Sequence, residues 1–108
     1  MSERELQDAV IDCAQRLGWR CAHFRPARTK DGWRTAVSAD GKGFPDLVMF
    51  RGGRQIAAEL KREDGKLTLE QLEWLIAFET AGAEIRVWFP HDLSSGEIER
   101  VLRGEEPT

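Results

Sequence analysis

Several features that would identify a membrane, secreted or zinc-binding protein are missing from this sequence. No apolar run reaches the roughly 18 residues that a membrane-spanning helix needs, and there is no signal peptide or lipidation motif. The only cysteines are Cys13 and Cys21 and the only histidines are His23 and His91, without the close spacing of zinc ligands. We therefore expect an intracellular protein with two buried thiols and no zinc site.

Motifs of other enzyme classes are missing as well. The chain has no glycine-rich phosphate loop, no Ser/His/Asp arrangement, no internal repeat and no low-complexity segment. Its 108 residues, 41% of them apolar, suit one domain with one core, spanning residues 1–108.

The middle of the chain carries the most informative pattern. Two short apolar runs flank Gly52-Gly53, which predicts a β-hairpin. With these glycines as the turn, Asp46 faces Glu59, and Lys61 lies on the same face as Glu59. Opposed carboxylates repel each other in a sheet unless a cation lies between them. The pattern therefore predicts a divalent-metal site beside an ammonium group.

The same residues resemble a known nuclease signature. Pro45-Asp46 and, after the hairpin, Glu59-Leu60-Lys61 resemble the PD-(D/E)XK motif. With residues 43–44 ahead and 67–71 behind, the pattern resembles the virus-type replication-repair nuclease (VRR-NUC) branch, over about residues 2–103. The resemblance implies an α/β, restriction-endonuclease-like fold: an αβββαβ core whose mixed central sheet is flanked by helices.

The resemblance also implies a set of site residues and a cofactor, Mg²⁺ or Mn²⁺. The residues that it places in the site are Glu5, Asp46, Glu59, Leu60, Lys61 and Gln71. The acids and the Leu60 carbonyl would bind the metal, Lys61 would activate the attacking water, and Gln71 would orient that water or Lys61. Glu5 and Gln71 have a second interpretation, because Ser2-x-x-Glu5 and Thr68-x-x-Gln71 are both capping boxes.

Periodicity and stop signals predict the other elements. These are a helix over 2–17, a strand over 19–24, a helix over 68–81, a strand over 83–89, and a short helix from Ser94 or Ser95 to Leu102. Residues 25–42 are predicted to be a long loop, and the tail after Gly104 is expected to be frayed. The strand before the second long helix and the strand after it should be parallel, with a right-handed crossover.

Charge is unevenly distributed along the chain. The net charge is −3, but residues 20–42 hold six Lys and Arg against two Asp, which gives +4 there and −7 elsewhere. This segment is a candidate phosphate-contacting surface. The predicted DNA-contacting residues are Arg25, Arg28, Lys30, Trp33, Arg34, Lys42 and Arg62. The alternative for this segment is a loop that is merely solvated. The alternative for Trp33 is a lid residue that packs against the core.

Together these patterns predict a metal-dependent endonuclease that acts on DNA. Similarity to Holliday-junction resolvases implies branched DNA, such as four-way junctions, as substrate and a homodimer as the assembly. Trp33, Trp74 and Phe89 are the apolar candidates for the dimer surface. The alternative is a non-catalytic nucleic-acid-binding or interaction module with a structural ion-pair cluster. It is disfavoured because two acids per lysine leave such a cluster poorly compensated.

Overall fold

A computed structural model describes residues 1–24, 27–29, 32–34 and 39–105, with only the backbone for 27–29 and 32–34. Its elements are α1 (Glu3–Arg16), β1 (Arg20–His23), β2 (Ala27–Thr29), β3 (Gly32–Arg34), β4 (Leu47–Arg51), β5 (Arg54–Leu60), α2 (Leu69–Thr80), β6 (Glu84–Trp88), α3 (Pro90–Ser94) and α4 (Glu97–Arg103). Within these ranges, no helix is both long enough and apolar enough to cross a membrane.

A four-stranded mixed sheet in the order β1-β4-β5-β6 forms the centre of the fold. The β1–β4 and β4–β5 pairs are antiparallel, whereas β5 and β6, which α2 connects, are parallel. The order α1, β1, β4, β5, α2, β6 confirms the predicted αβββαβ core with a mixed sheet flanked by helices.

The register of the central hairpin is as predicted. Val48 lies opposite Ala57 and Arg51 opposite Arg54, so the turn consists of Gly52 and Gly53. Gly52 has a φ of +57°, a left-handed conformation that glycine adopts without strain. This register fixes which side chains of β4 and β5 share a face.

The two faces of the sheet are covered by different helices. The main core lies between the sheet and α1 and α4, and contains Leu6, Val10, Ala14, Trp19, Leu47, Met49, Ile56, Ala58, Leu60, Trp88, Ile98 and Leu102. Helix α2 packs on β5 and β6. Its buried Leu75 is not part of that core cluster, because α2 covers the opposite face.

Two parts of the predicted outline are wrong. The segment 25–42 is not a continuous loop, because β2 and β3 pair within it as an antiparallel ribbon. These strands have three residues each, too few to show an alternating pattern. Near the other end, Pro90 both follows β6 and begins α3, while Gly96, not a serine, is the N-cap of α4. Proline ends a strand and also suits the first turn of a helix.

Candidate active site

Asp46, Glu59 and Lys61 meet at one end of the β4–β5 hairpin. Glu59 is the second-last residue of β5, and Lys61 directly follows the strand. Asp46 precedes β4, and its Oδ2 accepts a hydrogen bond from the Leu60 backbone N–H at 2.9 Å. The Asp46 and Glu59 carboxyl groups are in hydrogen-bonding contact. The structure thus brings the two predicted acids together, with Lys61 near enough to act on Glu59 electrostatically.

Glu59 is a fully buried acid, with only 1% of its surface exposed. Burial, followed by the hydrogen bond and the charge of Asp46, raises the pKa of Glu59 to about 9, while Lys61 opposes the shift. Its Oε2 is buried without a hydrogen-bond donor among the described residues. Burying an ionised carboxylate without compensation is unfavourable, so this pair requires either a proton or a cation.

The turn after β5 holds Lys61 in place. The Lys61 backbone N–H donates to the Trp88 carbonyl at 2.9 Å, which ties it to the end of β6. The chain then turns back through a hydrogen bond from Gly65 N–H to the Arg62 carbonyl, also at 2.9 Å. A Cβ on Gly65 would lie 3.1 Å from Lys61 Cβ and 3.3 Å from Cδ. The lysine stem therefore lies directly against the Gly65 backbone.

The structure places Glu5 and Gln71 in capping boxes. Glu5 Oε1 accepts from the Ser2 backbone N–H at 3.0 Å, and these contacts hold the pKa of Glu5 below its ordinary value. Gln71 Oε1 accepts from the Thr68 backbone N–H at 2.9 Å. Both side chains are thereby occupied at a helix end, and neither is brought into the Asp46–Glu59 pair.

A different acid of the first turn of α1 acts on the site. After burial and the contacts with Asp46, the charge of Glu3 adds a smaller contribution to the raised pKa of Glu59. Gln7, one turn further along α1, is a buried polar residue that the sequence analysis also missed. A signal for Glu3 was present in the sequence. The Ser2-x-x-Glu5 capping box engages the Glu5 side chain, which leaves Glu3 as the other acid of the first turn.

The donors present fit a hard divalent cation in part. Two carboxylates in contact, one with an unpartnered oxygen, are the ligands that Mg²⁺ and Mn²⁺ prefer. However, the part of the chain that the structure describes contains no cluster of three or more His, Cys, Asp or Glu side chains placed to hold a metal. The described geometry therefore offers two carboxylates as ligands for such a cation.

Only some predicted DNA contacts can be placed. Lys42 pairs with Glu70 at 3.2 Å, and Arg62 pairs with Asp64 at 3.6 Å, both on the surface, where such pairs are weak and exchangeable. Arg25 and Lys30 lie outside the described residues. For Arg28, Trp33 and Arg34 the structure describes the backbone alone, in β2 and β3.

Two aromatic residues predicted for a dimer surface have partners within the chain. Trp74 Nε1 donates to the Asp40 carbonyl at 3.0 Å, and its ring contacts Phe44 with centroids 5.0 Å apart. Phe89 stacks on His91 at 5.5 Å. His91 is not in the site; its Nδ1 lies 2.6 Å from Glu63 Oε2, and this contact raises the pKa of His91.

The outer side of α2 carries the exposed apolar surface that the sequence analysis missed. Leu69 is 68% exposed, Leu72 is 43% exposed and Ile76 is 50% exposed. Their spacing of three and four residues places them on one stripe of the helix.

A comparison with solved structures finds a distant structural likeness. No protein-family model matches the chain, and no curated protein matches it. Among solved structures, the chain is similar to Hjc, a Holliday junction resolvase from the archaeal hyperthermophile Archaeoglobus fulgidus. The TM-score is 0.48 and the identity 20%, over 81% of this chain and 67% of that chain. This likeness is too distant to assign residues or activity, so the function is argued from the site.

The buried Glu59 predicts a pH-dependent stability for the metal-free protein. Its pKa rises from 4.5 to about 9 on folding, so the folded state binds a proton that the unfolded state releases between these values. Stability from this group is fully present below pH 4.5 and declines toward pH 9, with a slope of at most about 1.4 kcal/mol per pH unit. Urea unfolding across this range measures it.

Glu59→Gln is the matched variant, because the amide mimics the protonated acid in shape and can still donate to Asp46. The parent should lose stability relative to this variant as pH rises, since other titrating groups are common to both. Parallel pH profiles for the two proteins would show that Glu59 does not carry a raised pKa.

Proposed function

We propose that the protein is a metal-dependent endonuclease that hydrolyses DNA phosphodiester bonds. The observation that carries this proposal is the buried Glu59, whose Oε2 lacks a donor among the described residues, in contact with a second carboxylate and next to Lys61. A purely structural role explains this arrangement poorly, because burying Glu59 against a second acid with one lysine nearby is unfavourable. The same residues carry the VRR-NUC resemblance, which we adopt as the proposed family.

Asp46 and Glu59 would hold Mg²⁺ or Mn²⁺ together with the Leu60 carbonyl and a first-turn acid of α1. When bound, the metal would neutralise the scissile phosphate and lower the pKa of a coordinated water. For the first-turn acid we favour Glu3, because its charge acts on Glu59 while Glu5 is engaged by Ser2. Glu3 thereby replaces Glu5, the ligand that the resemblance implies, in this proposal. The role of Gln71 as an orienting residue stays a prediction from the resemblance.

Lys61 would provide the positive charge at the reacting phosphate. Its backbone is bonded to β6, its stem lies against Gly65, and its charge acts on Glu59. A positioned ammonium stabilises the negative charge that develops in phosphoryl transfer and orients an attacking water.

We expect Asp46→Asn, Glu59→Gln and Lys61→Ala each to abolish cleavage of DNA in Mg²⁺ or Mn²⁺ while the protein stays folded. Each change removes a ligand or charge of the site and none removes a core residue. Cleavage of labelled linear and four-way-junction DNA, with melting temperatures in parallel, measures both effects. Loss of stability with retained activity would identify the cluster as structural.

Glu3→Gln and Glu5→Gln form a matched pair in the same turn of α1. We expect Glu3→Gln to weaken Mn²⁺ binding in calorimetry and Glu5→Gln to leave it unchanged, since Gln preserves the capping box. The reverse result would make Glu5 the ligand.

The alternative function is a non-catalytic binding module, which the absence of a three-ligand cluster in the described residues favours. A parent protein that binds DNA, does not bind Mn²⁺ and does not cleave DNA would establish that alternative.

The basic segment 20–42 would contact DNA phosphates, and β2 and β3 would present part of it as a ribbon. Replacing Arg28, Lys30 and Arg34 with Ala should weaken DNA binding and reduce its salt dependence, by about 0.9 log unit of slope per lost phosphate contact. Fluorescence anisotropy over a salt series measures this slope. Replacement of Arg16 on α1 and of Arg100 and Arg103 on α4 removes the same three charges and is the control. An unaltered slope for the ribbon variant would place DNA elsewhere.

We also propose a homodimer that acts on branched DNA inside the cell, as the resemblance to junction resolvases implies. In place of Trp74 and Phe89, we assign the dimer surface to the outer stripe of α2, namely Leu69, Leu72 and Ile76, which are 43–68% exposed. Self-association would bury these side chains, and an isologous pair is the common arrangement for a small protein.

The double variant Leu72→Glu, Ile76→Glu should convert a micromolar dimer to a monomer in light scattering, because it places charges in the apolar contact. Phe50→Glu is the control, since Phe50 is 47% exposed but lies on β4. A monomeric parent, or dissociation by Phe50→Glu alone, would contradict this surface. Equal cleavage of linear and four-way-junction DNA would contradict the branched substrate.

A further inference from the structure

We infer that Gly43 and Phe44 are positioning residues for Asp46: they fasten the segment before β4 onto α2, and this contact sets where the Asp46 carboxylate lies. The catalytic meaning of the inference rests on the proposed function, because only there is Asp46 a metal ligand. The positioning itself rests on contacts within the folded chain.

The backbone at Gly43 lies directly on the first turn of α2. A Cβ at this position would be 2.6 Å from the carbonyl carbon of Glu70 and 2.7 Å from the backbone nitrogen of Gln71. Real Cβ atoms do not approach backbone so closely, and Gly43 also has a φ of +84°. Any side chain at residue 43 would therefore displace the segment from the helix.

Phe44 extends the contact into an aromatic cluster. Its ring meets Trp74 and Phe78 of α2, with centroids 5.0 Å and 5.7 Å away, and Phe24 at the end of β1, at 5.0 Å. These edge-to-face contacts are favourable beyond the area that they bury. One residue thus joins α2, the end of β1 and the segment that leads to Asp46.

Polar contacts also hold the residues just before Gly43 to α2. Trp74 Nε1 donates to the Asp40 carbonyl at 3.0 Å, and Lys42 Nζ pairs with Glu70 at 3.2 Å. The first of these contacts ties residue 40, three residues before Gly43, to the same helix.

Asp46 depends on this attachment because it lies outside the β4–β5 ladder, which begins with Leu47 opposite Ala58. Its carbonyl accepts from Phe24 N–H at 3.1 Å, and its carboxylate accepts from Leu60 N–H at 2.9 Å. The second bond aims the carboxylate at the Glu59 end of β5. Displacing residues 43–44 by a few tenths of an ångström would weaken that bond first.

The Leu60 amide therefore reports the position of Asp46 without any need for activity. We would measure its hydrogen exchange by NMR in the full-length, metal-free parent and in Gly43→Ala and Phe44→Leu. We expect exchange of this amide to accelerate by about tenfold in both variants, as loss of a hydrogen bond to a charged acceptor implies. The other backbone amides of β4 and β5 should keep their hydrogen-exchange rates. Cleavage should fall by about 10²-fold through kcat more than KM.

Gly82→Ala is the matched control, because Gly82 also has a positive φ, +101°, but no atom lies within 4 Å of an added Cβ. It should lose stability through backbone strain and leave Leu60 exchange and the relative kcat unchanged. Unchanged Leu60 exchange in Phe44→Leu, or an equal acceleration in Gly82→Ala, would overturn the inference. If Gly43→Ala does not fold, Phe44→Leu decides. A parent that neither binds Mn²⁺ nor cleaves would refute the proposed function and leave the Leu60 test intact.

Discussion

The burial of one carboxylate against another is the constraint on which this structure depends. Glu59 occupies a position in the central sheet where a hydrophobic side chain would stabilise the fold, and it faces Asp46 there. A folded chain tolerates this pair only with a shared proton or a bound cation, which is why the pKa of Glu59 rises so far. Conformational stability and the chemistry of the site therefore depend on the same two oxygen-rich side chains.

Helix α2 connects the site to the rest of the surface. Its inner side packs on β5 and β6, and its first turns receive Gly43 and Phe44. Its outer side carries exposed leucine and isoleucine. This double use explains why apolar residues lie on more than one side of the helix, a pattern that a simple surface helix would not show. Any partner that binds the outer stripe would contact the helix that supports the segment before Asp46.

The distribution of charge separates two kinds of surface. The segment 20–42 is basic, whereas α2 contains Glu70, Glu73 and Glu79 and no basic residue. The two regions are adjacent, because Lys42 of the basic segment pairs with Glu70 of α2 at 3.2 Å. A polyanion is attracted to basic side chains and repelled by acidic ones, so under the proposed function DNA would lie along the basic segment and not along α2.

The sequence by itself determined the order of the core elements, the hairpin register and the meeting of Asp46, Glu59 and Lys61. These follow from local rules, since a two-glycine turn specifies the pairing and a period of two specifies the faces. Only the tertiary structure showed that Glu5 is engaged by the Ser2 backbone while the charge of Glu3 acts on Glu59, because both acids lie in one helical turn and the sequence treats them alike. It also decided that Leu69, Leu72 and Ile76 are exposed, and that Gly43 touches α2. Such outcomes depend on how separate elements pack, and a contact between residues 43 and 70 leaves no periodic trace in the sequence.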